Sequence, residues 1–248
     1  MSEQRYRDYD PFARLYSRHW AGDYHAKAMP VLDRLLLHNL APGSAILDLC
    51  CGDGRLARLL RQNGFQVTGL DGSEQMLAFA RARATEVTFV ACDARDFTFP
   101  EPFDAIISTG DSMNHMLSRN ELRKVFRNAH ACLKPGGWFA FDMNRIEAFR
   151  DLWPNMPHIV DIDLVSVAQP TWDDVSQLAT CRFTQFRREN GLWLRSDYTI
   201  RERYYPEADV QAGLVESGFD SISVQDAAEL GMAGEIGQHR NYFLARKP

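Results

Sequence analysis

Two rhythms of apolar and polar residues divide this chain. Between residues 45 and 142, short apolar runs alternate with longer segments whose apolar residues recur every three or four positions. Runs of the first kind predict buried strands, and the wider spacing predicts amphipathic helices. The predicted strands are 45–49, 66–70, 87–92, 103–108 and 138–142, and the predicted helices between them are 54–62, 73–84 and 118–133.

Several predicted boundaries carry their own signals. Ser73 has the side chain of a helix N-cap, and Ser118 followed by Glu121 has the pattern of a capping box. The segment 134–137, Lys-Pro-Gly-Gly, predicts a break before the fifth strand. Strands separated by helices or short connections imply an α/β fold with a doubly wound, Rossmann-like sheet.

The rhythm changes in 159–205, where apolar and polar residues alternate, as they do from Tyr198 to Tyr204. Asn190-Gly191 lies between two such runs and predicts a tight hairpin turn. We therefore expect an antiparallel β insertion after the fifth strand.

A helix is predicted next at 206–217, followed by strands at 221–224 and 242–246 that make the mostly parallel sheet seven-stranded. The expected organisation is one domain, 1–248. Its parts are a helical lid (1–40), a cofactor-binding core (41–158 and 206–248) and the insertion (159–205).

Aromatic residues crowd the amino-terminal segment from Tyr6 onward. Tyr9, Phe12, Tyr16 and Trp20 recur at spacings of three and four, which predicts one face of a helix. That face could pack on a core or form a lid over a bound ligand, and both interpretations stay open. A second helix is predicted at 29–40, with leucines along one side.

Composition narrows the class of protein. The hydrophobic fraction is 45% and the net charge is −5 with both signs interspersed, which fits a globular domain and argues against a nucleic-acid surface. The five cysteines form no Cys-x-x-Cys pair, so we expect reduced thiols and no metal. Neither a signal peptide nor an apolar run of membrane-spanning length is present, so we expect a cytoplasmic protein without a membrane partner.

Candidate ligand-binding groups end the first four predicted strands. In an open parallel sheet the ligand lies outside the carboxyl ends of the strands, where the strand order reverses. Asp71 can accept hydrogen bonds from ribose hydroxyls, and Asp93 can accept one from an adenine amino group while the Ala94 amide donates to the ring. Glycines after the first strand let the backbone approach a ligand closely. The nucleoside pocket is predicted from Asp48, Gly52, Gly54, Asp71, Asp93 and Ala94.

Two cofactors fit an acid at the end of the second strand. A nicotinamide dinucleotide would use Gly52-x-Gly54-x-x-Ala57 as its fingerprint, but its pyrophosphate would lie near Asp48 and Asp53. S-adenosylmethionine has no phosphate and carries two positive groups, so these acids favour it. An NAD-dependent oxidoreductase and a non-catalytic cofactor-binding or interaction protein of the same fold remain the alternatives.

Five ordered motifs, at 46–54, 69–77, 92–96, 103–104 and 133–137, resemble those of the class I S-adenosylmethionine-dependent methyltransferases. The resemblance implies that the methionine end of the cofactor lies by Asp48 and Gly52 and that Met76 packs on the adenine. The family commonly has glycine where this chain has Cys50, and a positive φ there would be strained. The candidate cofactor contacts are Asp48, Cys50, Gly52, Gly54, Asp71, Gly72, Met76, Asp93, Ala94 and Thr109, with Tyr16 and Trp20 from the first helix.

The aromatic amino-terminal helix and the β insertion are similar to the small-molecule branch of this family, which includes glycine, sarcosine and amino-sugar N-methyltransferases. The resemblance implies in-line methyl transfer to a small-molecule acceptor at N or O. It also places the loop 111–115, after the fourth strand, beside the reacting centre.

Five residues are candidates for catalysis or acceptor binding. His115 could be the general base or a loop histidine bonded to backbone, and Asp111 could hold an acceptor ammonium or cap a turn. Arg201 and Arg203 could bind an acceptor carboxylate or remain solvated or ion-paired. Asn114 is the remaining candidate for acceptor binding.

Overall fold

The computed structural model describes residues 9–234 and 237–248. Tyr6 and the first eight residues of the predicted lid therefore lie outside the described residues. The helices are α1 (Tyr9–His19), α2 (Ala21–Leu35), α3 (Arg55–Gln62), α4 (Glu74–Arg83), α5 (Arg119–Cys132) and α6 (Glu207–Glu216). The strands are β1 (Ala45–Leu49), β2 (Gln66–Asp71), β3 (Thr88–Ala91), β4 (Phe103–Ser108), β5 (Leu133–Asn144), β6 (Ile159–Val160), β7 (Leu164–Asp173), β8 (Leu178–Glu189), β9 (Leu192–Arg203), β10 (Asp220–Asp226) and β11 (Arg240–Arg246).

Seven strands form a sheet in the order β10-β11-β5-β4-β1-β2-β3. All neighbours are parallel except β11, which runs antiparallel to both β5 and β10. The predicted fold class is therefore confirmed. The strand order reverses between β1 and β4, and a cleft at the carboxyl ends of these strands is the usual ligand site of such a sheet.

Helices cover both faces of this sheet. Along β1 successive side chains point to opposite faces, so Ile46 packs with α2 and α3, whereas Leu47 packs with α5 and α6. Because both faces are buried, the central strands are apolar without alternation. This explains why the sequence shows them as continuous apolar runs.

The predicted insertion is a second sheet with the strand order β6-β7-β8-β9, antiparallel throughout. Asn190 and Gly191 have φ angles of 49° and 82°, so both central residues of the hairpin turn are left-handed, as a two-residue hairpin turn requires. The inner face of the sheet packs with α1 through Leu15, Phe183 and Tyr198.

Two of the predicted helix starts are confirmed as N-caps. The Met76 amide donates to the Ser73 hydroxyl at 3.2 Å, and the Glu121 amide donates to the Ser118 hydroxyl at 3.2 Å. The second half of the capping box differs, because the Glu121 carboxylate accepts from the Leu117 amide and from Arg95.

Two other boundaries were wrong. The second helix begins at Ala21, well before residue 29, because Ala21 and Ala28 continue its buried face and alanine gives a weak hydrophobic signal. The segment 134–137 does not break the chain before a strand, since β5 already begins at Leu133, where it pairs with Phe103 across an irregular register.

Gly54 is required by packing at the start of α3. Its φ is +74°, and an added Cβ would lie 2.8 Å from the Ala80 Cβ and 2.9 Å from the Ala80 Cα. We expect Gly54→Ala to lower the free energy of unfolding by about 2–5 kcal/mol, from left-handed backbone strain and overpacking together. Urea denaturation measures the change.

Gly64→Ala is the matched control for this prediction. Gly64 has a φ of +89° and nothing within 4 Å of an added Cβ, so its substitution reports backbone strain alone, about 1–2 kcal/mol. Equal losses in the two variants would show that packing against Ala80 does not restrict residue 54.

Candidate active site

A cleft of about 780 Å³ opens at the carboxyl edge of the seven-stranded sheet, beneath α1 and beside the four-stranded sheet. This volume falls in the usual range for small-molecule sites, about 300–1,000 Å³. The predicted site residues that line it are Tyr16, Trp20, Cys50, Gly52, Asp71, Gly72, Met76, Ala94, Asp111 and His115. The predicted site residues that do not line it are Asp48, Gly54, Asp93, Thr109, Asn114, Arg201 and Arg203.

Asp71 closes the turn after β1 from the neighbouring strand. One of its carboxylate oxygens accepts the Gly52 amide at 2.9 Å and the other accepts the Ser73 amide at 2.8 Å. The Gly72 amide also donates to this carboxylate, which leaves part of its acceptor capacity for a ligand hydroxyl. Burial raises the pKa of Asp71 to about 6, although the backbone amides oppose the rise.

The turn after β1 is shaped for a close approach. Cys50 has a φ of 61°, so the positive φ expected at this cysteine is present, and its side chain lines the cleft. Gly52 has a φ of +51°, and an added Cβ would lie 3.2 Å from a ring carbon of Tyr16. Tyr16 therefore packs directly on the glycine that the sequence placed at the methionine end of the cofactor.

Asp48 faces the interior and caps a helix. Its side chain is 1% exposed and accepts a hydrogen bond from the Ala57 amide in the first turn of α3. Burial raises its pKa to about 8, so the carboxyl group is mostly neutral at pH 7. Gly54, at the start of the same helix, also faces the packed interior.

Asp53 also differs from its predicted role. It is fully buried and bound by the guanidinium groups of Arg55 at 3.1 Å and Arg83 at 2.6 Å, and by the Ser17 hydroxyl at 2.6 Å. The predicted repulsion of a pyrophosphate by Asp48 and Asp53 was therefore wrong. Burial favours the neutral form of Asp48, and Asp53 is ion-paired with two arginines. The negative groups that do line the cleft are Asp23, Asp71, Asp111 and Glu202.

Apolar residues form the predicted adenine side of the cleft. Met76 and Ala94 line it and are 5% and 4% exposed. Asp93 points away, because the Arg95 guanidinium binds its carboxylate at 2.5 Å and the Arg95 amide donates to it at 2.8 Å. The predicted hydrogen bond from an adenine amino group to Asp93 has no support in this geometry.

The loop after β4 brings Asp111 and His115 into the cleft. Asp111 has a φ of 53°, and its Oδ2 accepts from Arg240 at 2.9 Å and from the Asn144 amide group at 3.0 Å. Burial opposes ionisation of Asp111, but Arg240 and His115 together hold the pKa of this carboxyl below its usual value.

His115 lies between this loop, α1 and β9. Its Nδ1 is 2.8 Å from the Tyr9 hydroxyl and 3.2 Å from the Arg201 carbonyl oxygen. The Tyr9 hydroxyl can donate to Nδ1 or accept from it, whereas the carbonyl can only accept, so the tautomer decides which of the two bonds forms. Nε2 faces Asp111 Oδ1 and Glu202 Oε1, each at 3.9 Å.

The alternation predicted from Tyr198 to Tyr204 has the phase that the structure shows. Ile200 and Glu202 line the cleft, whereas Arg201 and Arg203, one residue out of phase, do not. Arg203 instead donates to the Leu117 carbonyl at 3.4 Å. The strand therefore presents a carboxylate to the acceptor side of the cleft, and of the two alternatives for these arginines the structure does not support binding of an acceptor carboxylate.

Asn114 and Thr109 support the site from behind. The Asn114 side chain is fully buried; its amide donates to the Arg203 carbonyl at 2.9 Å and its oxygen accepts the Asn144 amide at 2.9 Å. It thereby joins the β4 loop to β9 and β5. Thr109 is 6% exposed, and its carbonyl accepts the Ser112 hydroxyl at 2.9 Å.

Three residues at the centre of the site were not predicted from the sequence: Asn144, Glu202 and Arg240. Glu202 is 5% exposed, and burial followed by the charge of Asp111 raises its pKa well above the usual range. Arg240 binds Asp111 and Asp142 and lies over the Tyr24 ring. An acid on the inner face of an alternating strand was the available signal for Glu202, and polar residues at strand ends were the signal for the other two.

Both interpretations of the α1 aromatic face hold in part. Phe12 packs against Phe183 and Tyr198 of the insertion, with ring centroids 5.8 and 6.3 Å apart. The same face lines the cleft through Tyr9, Phe12, Tyr16 and Trp20. The helix is therefore part of a core and one wall of the site.

Asp111, His115 and Glu202 each offer one ligand atom within 4.8 Å of the others. This spacing suits a bound cation in general. The predicted absence of a metal stays a prediction, and the Arg240 guanidinium on Asp111 opposes a second full positive charge there.

The fold and the cleft define a protein that binds a nucleoside cofactor without a phosphate cradle. Comparison with known proteins is consistent with this class: residues 46–137 match the family model described as a methyltransferase domain. YqeM of Bacillus subtilis (strain 168), named as a methyltransferase, is 30% identical over 179 residues, which cover 70% of this chain and 72% of that protein. The chain therefore belongs to the S-adenosylmethionine-dependent methyltransferases, as predicted, and the dehydrogenase alternative is set aside.

Two further relatives illustrate the range of similarity. The dTDP-4-amino-2,3,4,6-tetradeoxy-D-glucose N,N-dimethyltransferase of Saccharopolyspora spinosa is 34% identical over 129 residues, 52% of this chain and 50% of that enzyme. The fold is shared with an S-adenosylmethionine-dependent methyltransferase of Clostridium acetobutylicum, with a TM-score of 0.78 at 23% identity over 96% of this chain and 98% of the other. Within the described residues, no helix is both long and apolar enough to cross a membrane.

Proposed function

We propose that this methyltransferase transfers a methyl group to a nitrogen of a small-molecule acceptor bound between α1, the β4 loop and β9. The cofactor lies along the β1–β2 edge. Asp71 accepts the ribose hydroxyls, Met76 and Ala94 enclose the adenine, and Tyr16 with Gly52 encloses the methionyl end. The acceptor side is formed by Asp111, His115 and Glu202.

The residues present fit S-adenosylmethionine. A carboxylate that lines the cleft and keeps acceptor capacity beyond its backbone amides suits a ribose hydroxyl. Gly52 and the Tyr16 ring that packs on it both line the cleft, where an aromatic face suits a positive sulfonium. Acids among the lining residues suit a cofactor that carries an ammonium and a sulfonium.

S-adenosylmethionine supplies a methyl group on a positive sulfur, so the new N–C bond forms as the C–S bond breaks and the sulfur keeps the electron pair. The residues of the chain position the acceptor and exclude water, and positioning can lower the barrier by about 7–11 kcal/mol. The aromatic face of α1 and the inner face of the insertion enclose the acceptor side of the cleft.

His115 removes a proton from an acceptor that arrives as an ammonium. In this role it acts as the Nδ1–H tautomer, whose Nε2 faces the two carboxylates, while its ring is held by the Tyr9 hydroxyl and the Arg201 carbonyl. The ion pair with Arg240 keeps Asp111 ionised, so it can stabilise the imidazolium that forms.

The observation behind this proposal is that one cleft contains both groups. Asp71 lies on the cofactor side, and Asp111, His115 and Glu202 lie on the acceptor side. The test is a calorimetric titration with S-adenosylmethionine, S-adenosylhomocysteine and NADH, followed by transfer of labelled methyl to small amines. We expect S-adenosylmethionine and S-adenosylhomocysteine to bind and NADH to show no binding. Binding without transfer to any amine would favour a non-catalytic binding protein, and tight NADH binding would favour an oxidoreductase.

The proposal extends to the domain organisation, the location and the class of acceptor. We propose a single domain in which residues 1–40 act as a lid, 159–205 as the acceptor-enclosing insertion, and 41–158 with 206–248 as the cofactor-binding core. The five cysteines are free thiols, which supports a cytoplasmic location. Acids on the cleft surface support a small molecule over a nucleic acid as acceptor.

A further inference from the structure

We infer that the acceptor is a cationic amine on an apolar body that carries neither a phosphate nor a carboxylate group. The inference rests on the proposed function and names the substrate class for the same cleft. It separates this chain from its relative that is named for a dTDP-linked amino sugar, because a diphosphate would need cationic side chains that are available for it.

The two arginines that line the cleft within the described part of the chain are already bound to acids. Arg95 binds Asp93 at 2.5 Å and Glu121 at 2.6 Å, and Arg240 binds Asp111 and Asp142. No lysine is among the described residues that line the cleft. Among the described residues of the cleft, a phosphate or carboxylate would therefore meet no lysine or arginine that is not already bound to an acid.

The charges around Arg240 leave a deficit of positive charge. Three buried or half-buried carboxylates, those of Asp111, Asp142 and Glu202, share the single Arg240 guanidinium. Glu202 has only the His115 ring, at 3.9 Å, as a cationic partner in the part of the chain that the structure describes. The raised pKa of Glu202 favours its protonated form, and a ligand cation placed beside Asp111 and Glu202 would stabilise both groups as carboxylates.

The hydrogen-bonding atoms match an ammonium group. The side-chain Nδ2 of Asn144 donates to Asp111 Oδ2 at 3.0 Å and to Glu202 Oε2 at 3.2 Å. This leaves Asp111 Oδ1, Glu202 Oε1 and His115 Nε2 directed at one another, all within 4.8 Å. An alkylammonium offers up to three N–H donors to these three acceptors.

The walls beside the ammonium site are apolar and aromatic. Phe12, Trp20, Trp153, Met156, Phe183 and Ile200 line this end of the cleft. Trp20 and Phe183 have ring centroids 6.4 Å apart. Such walls bury an apolar body by the hydrophobic effect and give aromatic faces to a cation.

The test measures binding to the complex of the protein with S-adenosylhomocysteine. Calorimetry is run with phenethylamine, phenethyl alcohol, phenylacetate and thymidine diphosphate, each up to 10 mM, on the order of weak small-molecule affinities. We expect the amine to bind at least about tenfold more tightly than the alcohol, with no binding of the two anions. Binding of S-adenosylhomocysteine itself is recorded first, so failure of the cofactor site is seen separately.

Glu202→Gln is the discriminating variant and Glu189→Gln, at the exposed hairpin of the same insertion, is its matched control. The first should abolish the preference for amine over alcohol and the second should retain it, with cofactor affinity unchanged in both. Equal binding of the alcohol, tighter binding of either anion, or no binding of the amine would overturn the inference. Displacement of the amine by stoichiometric MgCl₂ or ZnCl₂ would assign the cluster to a metal instead and would overturn it too.

Discussion

His115→Gln is expected to lower kcat by about 10²–10⁴-fold at neutral pH, the usual contribution of a general base. Glutamine retains a hydrogen bond toward the Arg201 carbonyl but offers no nitrogen lone pair where Nε2 faces Asp111 and Glu202. Affinity for S-adenosylmethionine should stay the same, because His115 lies on the acceptor side. The measurement is the initial rate of labelled methyl transfer to an amine acceptor, with calorimetry of cofactor binding alongside.

The pH dependence of this loss separates a base from a structural residue. An amine with a pKa near that of lysine, about 10.4, arrives as an ammonium at pH 7 and needs a base. As pH rises toward that value more free amine is present, so the deficit of His115→Gln should narrow. His38→Gln, at an exposed histidine that contacts the Asp33 carbonyl, serves as the control and should keep the full rate. A deficit that is constant with pH would argue that His115 only supports the loop.

Asp71→Asn is expected to weaken S-adenosylmethionine binding by about 10–100-fold. Hydrogen bonds to a charged acceptor each contribute about 1.5–3 kcal/mol, and the ribose presents two hydroxyls to this carboxylate. The asparagine oxygen can still accept one of the amides of Gly52 and Ser73, so the turn should remain folded. Calorimetry gives the dissociation constant and urea denaturation checks the stability.

The same carboxyl predicts how cofactor affinity depends on pH. Burial raises the pKa of Asp71 to about 6, so the group is ionised above pH 6 and gains a proton below it. Since the ionised form accepts the ribose hydroxyls, affinity should be constant above pH 7. It should fall by up to about tenfold per pH unit below pH 6. Asp71→Asn should remove this dependence, whereas Asp96→Asn, at an exposed acid on the loop after β3, should preserve it. An unchanged affinity in Asp71→Asn would mean that the ribose lies elsewhere.

The fold was largely predictable because its signals are local. Short, mainly apolar runs marked β1 and β4, and Ser73 and Ser118 marked the starts of α4 and α5. The Asn190-Gly191 turn marked the hairpin. Each of these signals reports a backbone requirement that the residue meets alone, such as a left-handed φ or a side-chain cap. The start of α2 was missed because alanines carry its buried face.

The candidate site was predicted less completely, because side-chain direction and ion pairing depend on contacts distant in sequence. Asp53 and Asp93 sit at the predicted places, but Arg83 and Arg95 neutralise them. On β9 the alternation was visible, yet which phase faces the cleft is decided by the packing of the insertion against α1. Arg201 and Arg203 were the candidates for acceptor binding, but Glu202 between them lines the cleft. The charge expected on the acceptor therefore changes from negative to positive.

By itself, the sequence determined the order of strands and helices, the family and the carboxylate at the end of the second strand, since these follow from short segments with fixed spacing. The tertiary structure alone decided that Glu202, Asn144 and Arg240 meet Asp111 and His115 in one cluster. They come from β9, β5 and β11, and strand pairing and the packing of two sheets bring them within hydrogen-bonding distance. Because charge is compensated across such contacts, the electrostatic character of the cleft is a property of the folded chain.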